Sequence, residues 1–525
     1  MRTKTTLLAL SLVALAQCSN SKSEKPNVIF ILADDIGYGD LGCYGAELIK
    51  TPNIDCLASE GRRFTDAHSG SAVSTPSRYA MLTGRYPFRG TTHMNSKEPG
   101  IWGPLGLNSP ILIDSETKTV AQMMQEQGYA TACIGKWHLG FTNEVTDWNE
   151  QLTPGPNQVG FDYYFGIPFV SSGPPYVFVR NDRVVGLDPE DPITLVTKEN
   201  GLTPTPTPSY PNKGANRFAG GAAAHELYKD DELGMLMAQE SVDWIKANKD
   251  NPFFLYLATP HIHHPFTPNE KFIGSSECGI YGDFVQEFDW VVGEVLNTLK
   301  EEGLDKNTLV IVTSDNGGMF NNAGQDAWDM GHYQNGDKLG FKFDVWEGGH
   351  SVPFIAKWPG VIKAGSVSNQ VISSVDLFAS LAKLTGYELQ EGEAPDSYDM
   401  LDVITGDVSQ DEMVRGALVL SSFRSSHMSL RDGEWVYIPG QGNGGWGGGR
   451  RGTHIFGGPG AIAYAGRENS DLKDGKIRED APAAQLYNLA QDPNQTVNVI
   501  EKYPEIAEKM QAELTQIWAS EQTRE

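Results

Sequence analysis

Cysteine and positive charge are both scarce in this chain of 525 residues. It has five cysteines, whose spacing fits neither a zinc motif nor a dense disulfide framework. Lys and Arg number 41 against 67 Asp and Glu, which gives a formal net charge of −26. This excess of negative charge argues against nucleic acid or an anionic membrane surface as a partner. A site for an anionic substrate would therefore need a local cluster of cations.

The apolar run near the start of the chain, residues 7–16, is too short to span a bilayer. It follows Arg2 and Lys4 and has the shape of a secretory signal peptide. The sequence ALA ending at Ala16 fits signal cleavage, and LAQC ending at Cys18 resembles a bacterial lipoprotein box. We therefore expect an exported bacterial protein, either periplasmic or a cell-surface lipoprotein, with a lipid anchor as its only membrane contact.

Continuous apolar runs at residues 27–33 and 309–313 predict central strands of a parallel sheet, covered on both faces. Polar residues follow both runs at once. In open α/β sheets, binding sites lie beyond the carboxyl ends of the strands. Adjacent carboxylates repel unless a cation lies between them, and oxygen donors suit a hard cation such as calcium. The candidate oxygen donors are Asp34, Asp35, Asp315 and Asn316.

A short helix is predicted over residues 76–83. Proline opens it, Thr75 can cap it and Gly84 can end it. Ser74 would then lie just outside the positive end of the helix dipole, where anions bind, and Arg78 adds a forked donor suited to phosphate or sulfate. Local sequence alone supports two interpretations: a hydroxyl nucleophile at an anion site, or a capped helix with an ordinary serine.

The twelve residues from Ser74 to Arg85 resemble the signature of the type I sulfatases, the formylglycine-dependent branch of the alkaline phosphatase superfamily. In that family the first residue of the signature is oxidised to formylglycine, and a serine is converted by a radical iron–sulfur maturase. Further family motifs follow in family order along residues 27–525. They place Lys136 and His138 in GKWHLG, His263 in an H-x-P sequence, and Lys342 five residues before EGG.

The resemblance implies hydrolysis of the S–O bond of a sulfate ester. One hydroxyl of the hydrated formylglycine attacks sulfur while Arg78, Lys136 and Lys342 neutralise the sulfuryl oxygens. His263 protonates the leaving sugar oxygen, and His138 then takes a proton from the second hydroxyl, so that sulfate leaves. The calcium ligands implied are Asp34, Asp35, Ser74, Asp315 and Asn316.

The fold implied is α/β, with a large mixed, mostly parallel sheet sandwiched by helices as in alkaline phosphatase. A smaller C-terminal α+β subdomain with an antiparallel sheet would follow. We expect a signal peptide and tether at residues 1–26, the catalytic domain at 27–410 and the C-terminal subdomain at 411–525.

The substrate is predicted from resemblance alone. Residues 339–344 (LGFKFD) and a Gly/Trp-rich loop near the C-terminus resemble gut-bacterial sulfatases acting on galactose or N-acetylgalactosamine. We therefore expect an exo-acting enzyme on sulfated glycans of mucin or chondroitin type, at the 4-O rather than the 6-O position. Candidate substrate contacts are His261, His264, Arg450 and Arg451.

Two other functions stay open at this point. A phosphatase or phosphonate-ester hydrolase of the same superfamily would carry two zinc ions with additional His and Asp ligands. A non-catalytic glycan-binding lipoprotein would leave Ser74 unconverted.

Overall fold

Strands and helices alternate along the chain, as expected for an α/β protein. The computed structural model describes residues 25–91, 99–206, 215–409, 412–445 and 456–524. The strands are β1 (Asn27–Ala33), β2 (Arg62–Phe64), β3 (Ala67–His68), β4 (Ala130–Gly135), β5 (Tyr163–Gly166), β6 (Val179–Arg180), β7 (Arg183–Val184), β8 (Thr194–Leu195), β9 (Phe218–Ala219), β10 (Phe253–Ala258), β11 (Thr308–Ser314), β12 (Phe354–Lys357), β13 (Ser366–Ser368), β14 (Ile372–Ser373), β15 (Leu418–Leu420), β16 (Ser429–Asp432), β17 (Trp435–Ile438), β18 (Leu472–Lys473), β19 (Lys476–Ile477) and β20 (Gln485–Asn488).

The α-helices differ widely in length, from the four residues of α8 (Glu347–His350) to the 23 of α6 (Gly279–Glu301). Both lie close in the chain to strands of the central sheet. The others are α1 (Pro52–Glu60), α2 (Ser74–Thr83), α3 (Val120–Glu126), α4 (Ala222–Glu226), α5 (Leu233–Asn248), α7 (Asn322–Asp329), α9 (Leu377–Thr385), α10 (Leu401–Thr405), α11 (Gly458–Tyr464) and α12 (Pro504–Ala519).

Ten strands form one mixed sheet, in the order β13-β2-β12-β11-β1-β10-β4-β5-β6-β7. The middle strands from β11 to β5 run parallel, whereas β12 is antiparallel to both of its neighbours. Strand β1 pairs with β10 on one side and with β11 on the other. Because these strands are parallel and in register, their carboxyl ends lie side by side. The predicted fold class is confirmed.

Both faces of the sheet are covered by helices, which explains the continuous apolar runs. Along β1, Phe30 and Leu32 pack into a core cluster that includes residues of α2, α3 and α9. Ile29 and Ile31 point the other way, into a cluster that includes residues of α1, α5 and α6. All four side chains are at most 1% exposed, so β1 is the buried centre of the molecule.

A second, antiparallel sheet of four strands, in the order β15-β16-β17-β20, follows in the C-terminal part of the chain. Helix α12 contacts β16 and β17 of this sheet. Residues of α12 also share a core cluster with Ala80 of α2 and with Phe88 and Trp102. The ring of Trp518 stacks on Phe88 at 5.0 Å and on Trp102 at 6.0 Å. Helix α12 therefore packs against the segment that follows α2.

Helix α2 differs from its prediction at its first turn. It begins at Ser74 itself, with Val73 as an N-cap that makes no side-chain hydrogen bond. The predicted cap, Thr75, is wrong: its hydroxyl donates to the carbonyl oxygen of His138 (3.4 Å) and accepts from the backbone N–H of Leu105 (3.0 Å). Gly84 ends the helix with φ +63, as predicted.

The predicted export signal and lipid anchor lie outside the described residues, as do Arg450 and Arg451. Among the helices that the structure describes, none combines the length and the apolar character needed to cross a bilayer.

Candidate active site

The predicted site residues converge at the carboxyl ends of the central strands. Asp34 and Asp35 directly follow β1, and Asp315 follows β11, its parallel neighbour. Lys136 directly follows β4, and His263 lies in the loop beyond β10. Asp35 and Asp315, 280 positions apart in sequence, meet here because parallel pairing brings the ends of their strands to one edge.

Three carboxylates form the acidic centre of the site. Asp34, Asp35 and Asp315 each offer an oxygen, and these oxygens lie within 4.8 Å of one another. The amide of Asn316 donates to Asp35 Oδ1 at 2.8 Å, while the buried Asp35 Oδ2 has no hydrogen-bond partner among the described residues. Buried like charges at this spacing repel strongly unless a cation lies between them. The donor set, carboxylate and amide oxygens, therefore fits a hard divalent cation.

Three cationic side chains surround these carboxylates. Burial disfavours the charged Arg78, but the combined attraction of Asp315, Tyr256 and Asp34 outweighs it and raises the pKa of Arg78. Burial lowers the pKa of Lys136, although Asp34 opposes this. Three positive and three negative charges balance, so a bound divalent cation would leave the site with a charge of +2 and attract an anionic ester. The ion pairs are Lys136 with Asp34 (2.8 Å), Arg78 with Asp315 (2.7 Å) and Lys342 with Asp35 (2.6 Å).

Ser74 faces this charged cluster from the start of α2. Its hydroxyl donates to Asn316 Oδ1 at 3.1 Å and lies 3.4 Å from Asp34 Oδ1. The residue is only 2% exposed. Free N–H groups at the start of a helix, together with the helix dipole, favour negative charge at this end. The hydroxyl therefore lies among cation ligands and at an anion-binding helix end.

Two histidines present ring nitrogens that protein groups leave unused. Both nitrogens of the buried His138 have no hydrogen-bond partner within the described parts of the chain. Burial, and then the charge of Lys136, lower the pKa of His138 well below its ordinary value. The Nδ1 atom of His263 donates to the carbonyl oxygen of His264 at 2.7 Å. This bond fixes the His263 ring and leaves its Nε2 atom for a ligand.

Three of the non-glycine residues with a left-handed backbone lie at or beside the site. Asp35 (φ +71), His138 (φ +57) and Phe343 (φ +79), which follows Lys342, all lie in the left-handed region without being glycine. Each such residue costs about 1–3 kcal/mol and persists where the surroundings fix it, typically at functional sites.

Two of the predicted substrate contacts, His261 and His264, differ in their surroundings. The His261 side chain is fully buried, 4.8 Å from the ring centre of Phe284 and 3.6 Å from Glu287. The side chain points into the helix layer against Phe284, so its role as a substrate contact stays a prediction that this packing does not support. His264 is half-buried and stacks on His263 at 4.4 Å, which keeps it a substrate-side candidate.

Tyr256 is a site residue that sequence reasoning missed. Its hydroxyl lies 3.5 Å from Arg78 Nη1, and burial raises its pKa. In sequence it is one aromatic residue within the apolar run of β10. The only available signal was a polar atom in an otherwise aliphatic and phenylalanine-rich strand, since a buried tyrosine hydroxyl needs a partner.

Comparison with known proteins points to one family. The Sulfatase family profile matches residues 26–387. An N-acetylgalactosamine-6-O-sulfatase of Bacteroides thetaiotaomicron is 36% identical over 529 residues, covering 96% of this chain and 95% of that protein. An N-acetylgalactosamine-6-sulfatase of Rattus norvegicus is 33% identical over 404 residues, covering 75% of this chain and 68% of that protein.

A solved structure agrees with these relatives. It comes from work on the metabolism of multiple glycosaminoglycans by Bacteroides thetaiotaomicron. It superimposes with a TM-score of 0.80 at 35% identity and covers 95% of this chain and 100% of that chain. The chain belongs to the sulfatase family and is a sulfuric ester hydrolase.

Proposed function

We propose that this enzyme removes sulfate from the 6-O position of terminal N-acetylgalactosamine or galactose in glycans. The observation that carries the activity is the convergence of Ser74 with three carboxylates and three cations at one strand edge. The substrate rests on the similarity, over 96% of this chain, to an N-acetylgalactosamine-6-O-sulfatase. This similarity favours the 6-O position over the 4-O position expected from sequence.

The depth of the site supports exo action on a primary sulfate. Ser74 is 2% exposed, so a sulfate must be carried inwards to meet it. A sulfate on the exocyclic C6 carbon projects one bond further from the sugar ring than one on C4. A terminal sugar can therefore present it without the rest of the glycan entering the protein.

The chain's own residues divide the work of hydrolysis. Arg78, Lys136 and Lys342 bind and neutralise the sulfate oxygens as charge develops on them. His263, with its ring fixed through Nδ1, presents Nε2 to the leaving sugar oxygen and, when protonated there, supplies the proton that this oxygen needs. His138, whose nitrogens are free of protein partners among the described residues, accepts a proton from the hydroxyl at position 74.

Two groups complete this chemistry. Oxidation of Ser74 to formylglycine, by a serine-type maturase, supplies the two hydroxyls of a hydrated aldehyde. Calcium supplies Lewis acidity that lowers the pKa of such a hydroxyl. The residues that would hold calcium are Asp34, Asp35, Asp315, Asn316 and residue 74.

Membership of the sulfatase family argues against the two alternatives that the sequence left open, a phosphatase and a non-catalytic binding protein. The catalytic cluster offers oxygen donors, which favours calcium over the paired zinc ions of the related phosphatases. A binding protein would keep Ser74 unconverted and show no turnover. Export remains a proposal. Palmitate labelling of the native host, compared with a Cys18→Ala strain, would test for the lipid anchor.

The decisive experiment is co-expression with and without a serine-type maturase. Conversion of Ser74 should make its tryptic peptide about two mass units lighter, because two hydrogens are removed. The converted enzyme is then given 3-, 4- and 6-O-sulfated galactose, N-acetylgalactosamine and N-acetylglucosamine, with a Ser74→Ala variant as control.

Preference for 6-O-sulfated galacto-configured sugars is the expected outcome. Preference for a 4-O-sulfate or a gluco-configured sugar would overturn the substrate but leave the sulfatase activity standing. Full turnover by unconverted protein would overturn the formylglycine proposal. Faster hydrolysis of phosphate monoesters than of every sulfate ester would favour the phosphatase.

A further inference from the structure

A second group of potential metal ligands lies apart from the catalytic cluster. His68 belongs to β3, while Glu347 and His350 are the first and last residues of the short helix α8. One ligand atom from each lies within 4.8 Å of the others, and all three side chains are buried. Positions i and i+3 of a helix share a face, so the Glu-x-x-His sequence presents both groups to the same point.

The hydrogen bonds of the two imidazoles define which nitrogen each offers. His350 Nε2 lies 3.0 Å from the carbonyl oxygen of Val345, which can only accept, so Nε2 carries the hydrogen. His68 Nε2 lies 2.8 Å from the carboxylate of Asp66, which also accepts. The two Nδ1 atoms therefore face each other, 3.1 Å apart, with lone pairs available. Only a cation or a shared proton makes such a contact favourable.

The two histidines have the hydrogen-bond acceptors that are typical of histidines bound to zinc. Metal-bound histidines donate their other ring N–H to a carboxylate or a backbone carbonyl, and here one histidine has each kind of acceptor. Two nitrogens bound tetrahedrally to one zinc ion lie roughly 3.3 Å apart. The observed separation of the His68 and His350 Nδ1 atoms is close to that value.

Glu347 supplies an independent indication. It is 1% exposed, and its Oε1 atom has no hydrogen-bond partner in the portions of the chain that the structure describes. The nearest cation is Arg431 on β16, at 3.9 Å, too far for a hydrogen bond. Leaving a carboxylate oxygen buried and unpaired is expensive, so this oxygen is prepared for a ligand.

A surface pocket adjoins the site at Glu347. Glu347, Asp66 and Arg431 line this pocket of about 470 Å³, whose lining also includes Lys338 but none of the proposed catalytic residues. Arg431 reaches from the second sheet to bind Asp66 at 2.9 Å. A cation here would lie between α8 and β3, beside this contact with the C-terminal sheet.

We propose that His68, Glu347 and His350 bind a divalent transition-metal ion, zinc being the best fit. Two imidazoles and one carboxylate are ligands that zinc accepts, and a water molecule reached through the pocket would complete four-fold coordination. The ion would stabilise the packing of α8 against β3. Its binding is independent of the proposed calcium at the catalytic carboxylates.

The test uses the full mature chain, stripped with a chelator and then saturated with calcium. Zinc is titrated, bound metal is counted by mass spectrometry of the elements, and the melting temperature is recorded. We expect one zinc per chain and a higher melting temperature, both lost in Glu347→Gln and His350→Gln. Cobalt in place of zinc should give visible absorption bands in the wild type only.

Control variants separate this site from the catalytic one. Asp66→Asn, which removes the carboxylate behind His68, should weaken zinc binding about 10–100-fold without removing a ligand. Asp315→Asn should lose calcium and activity but keep zinc. His427→Gln, which replaces a histidine outside the cluster, should keep calcium, activity and zinc.

The proposal is overturned if calcium-saturated wild type binds no zinc, which would leave the two imidazoles sharing a proton. It is equally overturned if Glu347→Gln and His350→Gln, shown to be folded by circular dichroism, bind zinc as the wild type does. Because neither result depends on turnover, failure here would leave the proposed sulfatase function untouched, and failure of that function would not affect this test.

Discussion

Arg78 shows how much of the site depends on the shape of one side chain. Its Nε and Nη2 atoms both donate to Asp315 Oδ2, at 3.0 and 2.7 Å, and its Nη1 atom donates to the carbonyl oxygen of Lys136 at 3.2 Å. A guanidinium fork makes these bonds together, whereas an ammonium group is a single point of charge. Positive charge alone is therefore not sufficient at this position.

We accordingly expect Arg78→Lys to lower kcat at least about 100-fold with glycan substrates. The ammonium group of lysine cannot align several donors with the charged sulfate oxygens. The melting temperature should also fall, since buried acceptors lose partners. Steady-state kinetics and thermal denaturation measure both effects. Arg85→Lys, near the far end of α2, is the matched control, and equal losses in the two variants would contradict the prediction.

His263 is expected to act only on the leaving group. His263→Ala should slow hydrolysis of sulfated sugars about 10²–10⁴-fold, the usual contribution of a general acid. An aryl sulfate with a weakly basic phenolate leaves without protonation, so its hydrolysis should change far less. Comparing kcat/KM for both substrates in wild type, His263→Ala and His427→Ala tests this. Equal losses on sugar and aryl sulfates would remove the general-acid role.

At the scale of elements, close backbone contact holds the loop that carries Lys342. A Cβ atom added to Gly317, just after the Asp315-Asn316 pair, would lie 1.9 Å from the carbonyl oxygen of Gly348. Only glycine allows the end of β11 to approach α8 this closely. The position of Lys342 beside Asp35 therefore depends on a contact between two backbones.

Gly317→Ala should lower the free energy of unfolding by about 1–3 kcal/mol, the usual cost of overpacking. It should also lower activity by more than this loss of stability explains, because the Lys342 loop must move. Chemical denaturation and kinetics at a temperature where the variant is folded test both expectations. In Gly416→Ala the new Cβ would meet only Tyr398 Oη at 3.8 Å, so this control should behave as wild type.

The elements that could be predicted from sequence are those whose signal is local. The bounds of β1 match its predicted run, and those of β11 differ from its predicted run by one residue at each end, because both faces of each strand are buried. The same apolar runs predicted that Asp34, Asp35 and Asp315 directly follow β1 and β11. The start of α2 could not be predicted, because the Thr75 hydroxyl accepts from a distant donor, the backbone N–H of Leu105, and not from the free N–H groups beside it.

The direction of a side chain beyond the end of a strand likewise cannot be predicted from the neighbouring sequence. His261 and His263 differ by two positions, yet one points into the helix layer against Phe284 and the other remains at the site. The pairing of His68 with His350 is also invisible in sequence, since it joins residues 282 positions apart. Such contacts depend on the assembled sheet and not on any pattern within one element.

At the scale of the whole molecule, calcium should link activity to stability. An ion that binds only the folded protein stabilises it by about 2.7 kcal/mol at one hundred times its Kd. Chelation should therefore lower the melting temperature and abolish turnover, and calcium should restore both. Asp315→Asn should show neither response. Full recovery of turnover with zinc in place of calcium would contradict the assignment of the catalytic ion.

The packing of α12 has a consequence for the order in which the protein is made. Trp518 is synthesised long after Phe88 and Trp102, yet its ring completes the layer over both, close behind α2. The packing around the start of α2 therefore cannot be complete until α12 has been made. Until then Ser74, which is 2% exposed in the finished fold, should be more accessible to the proposed maturase.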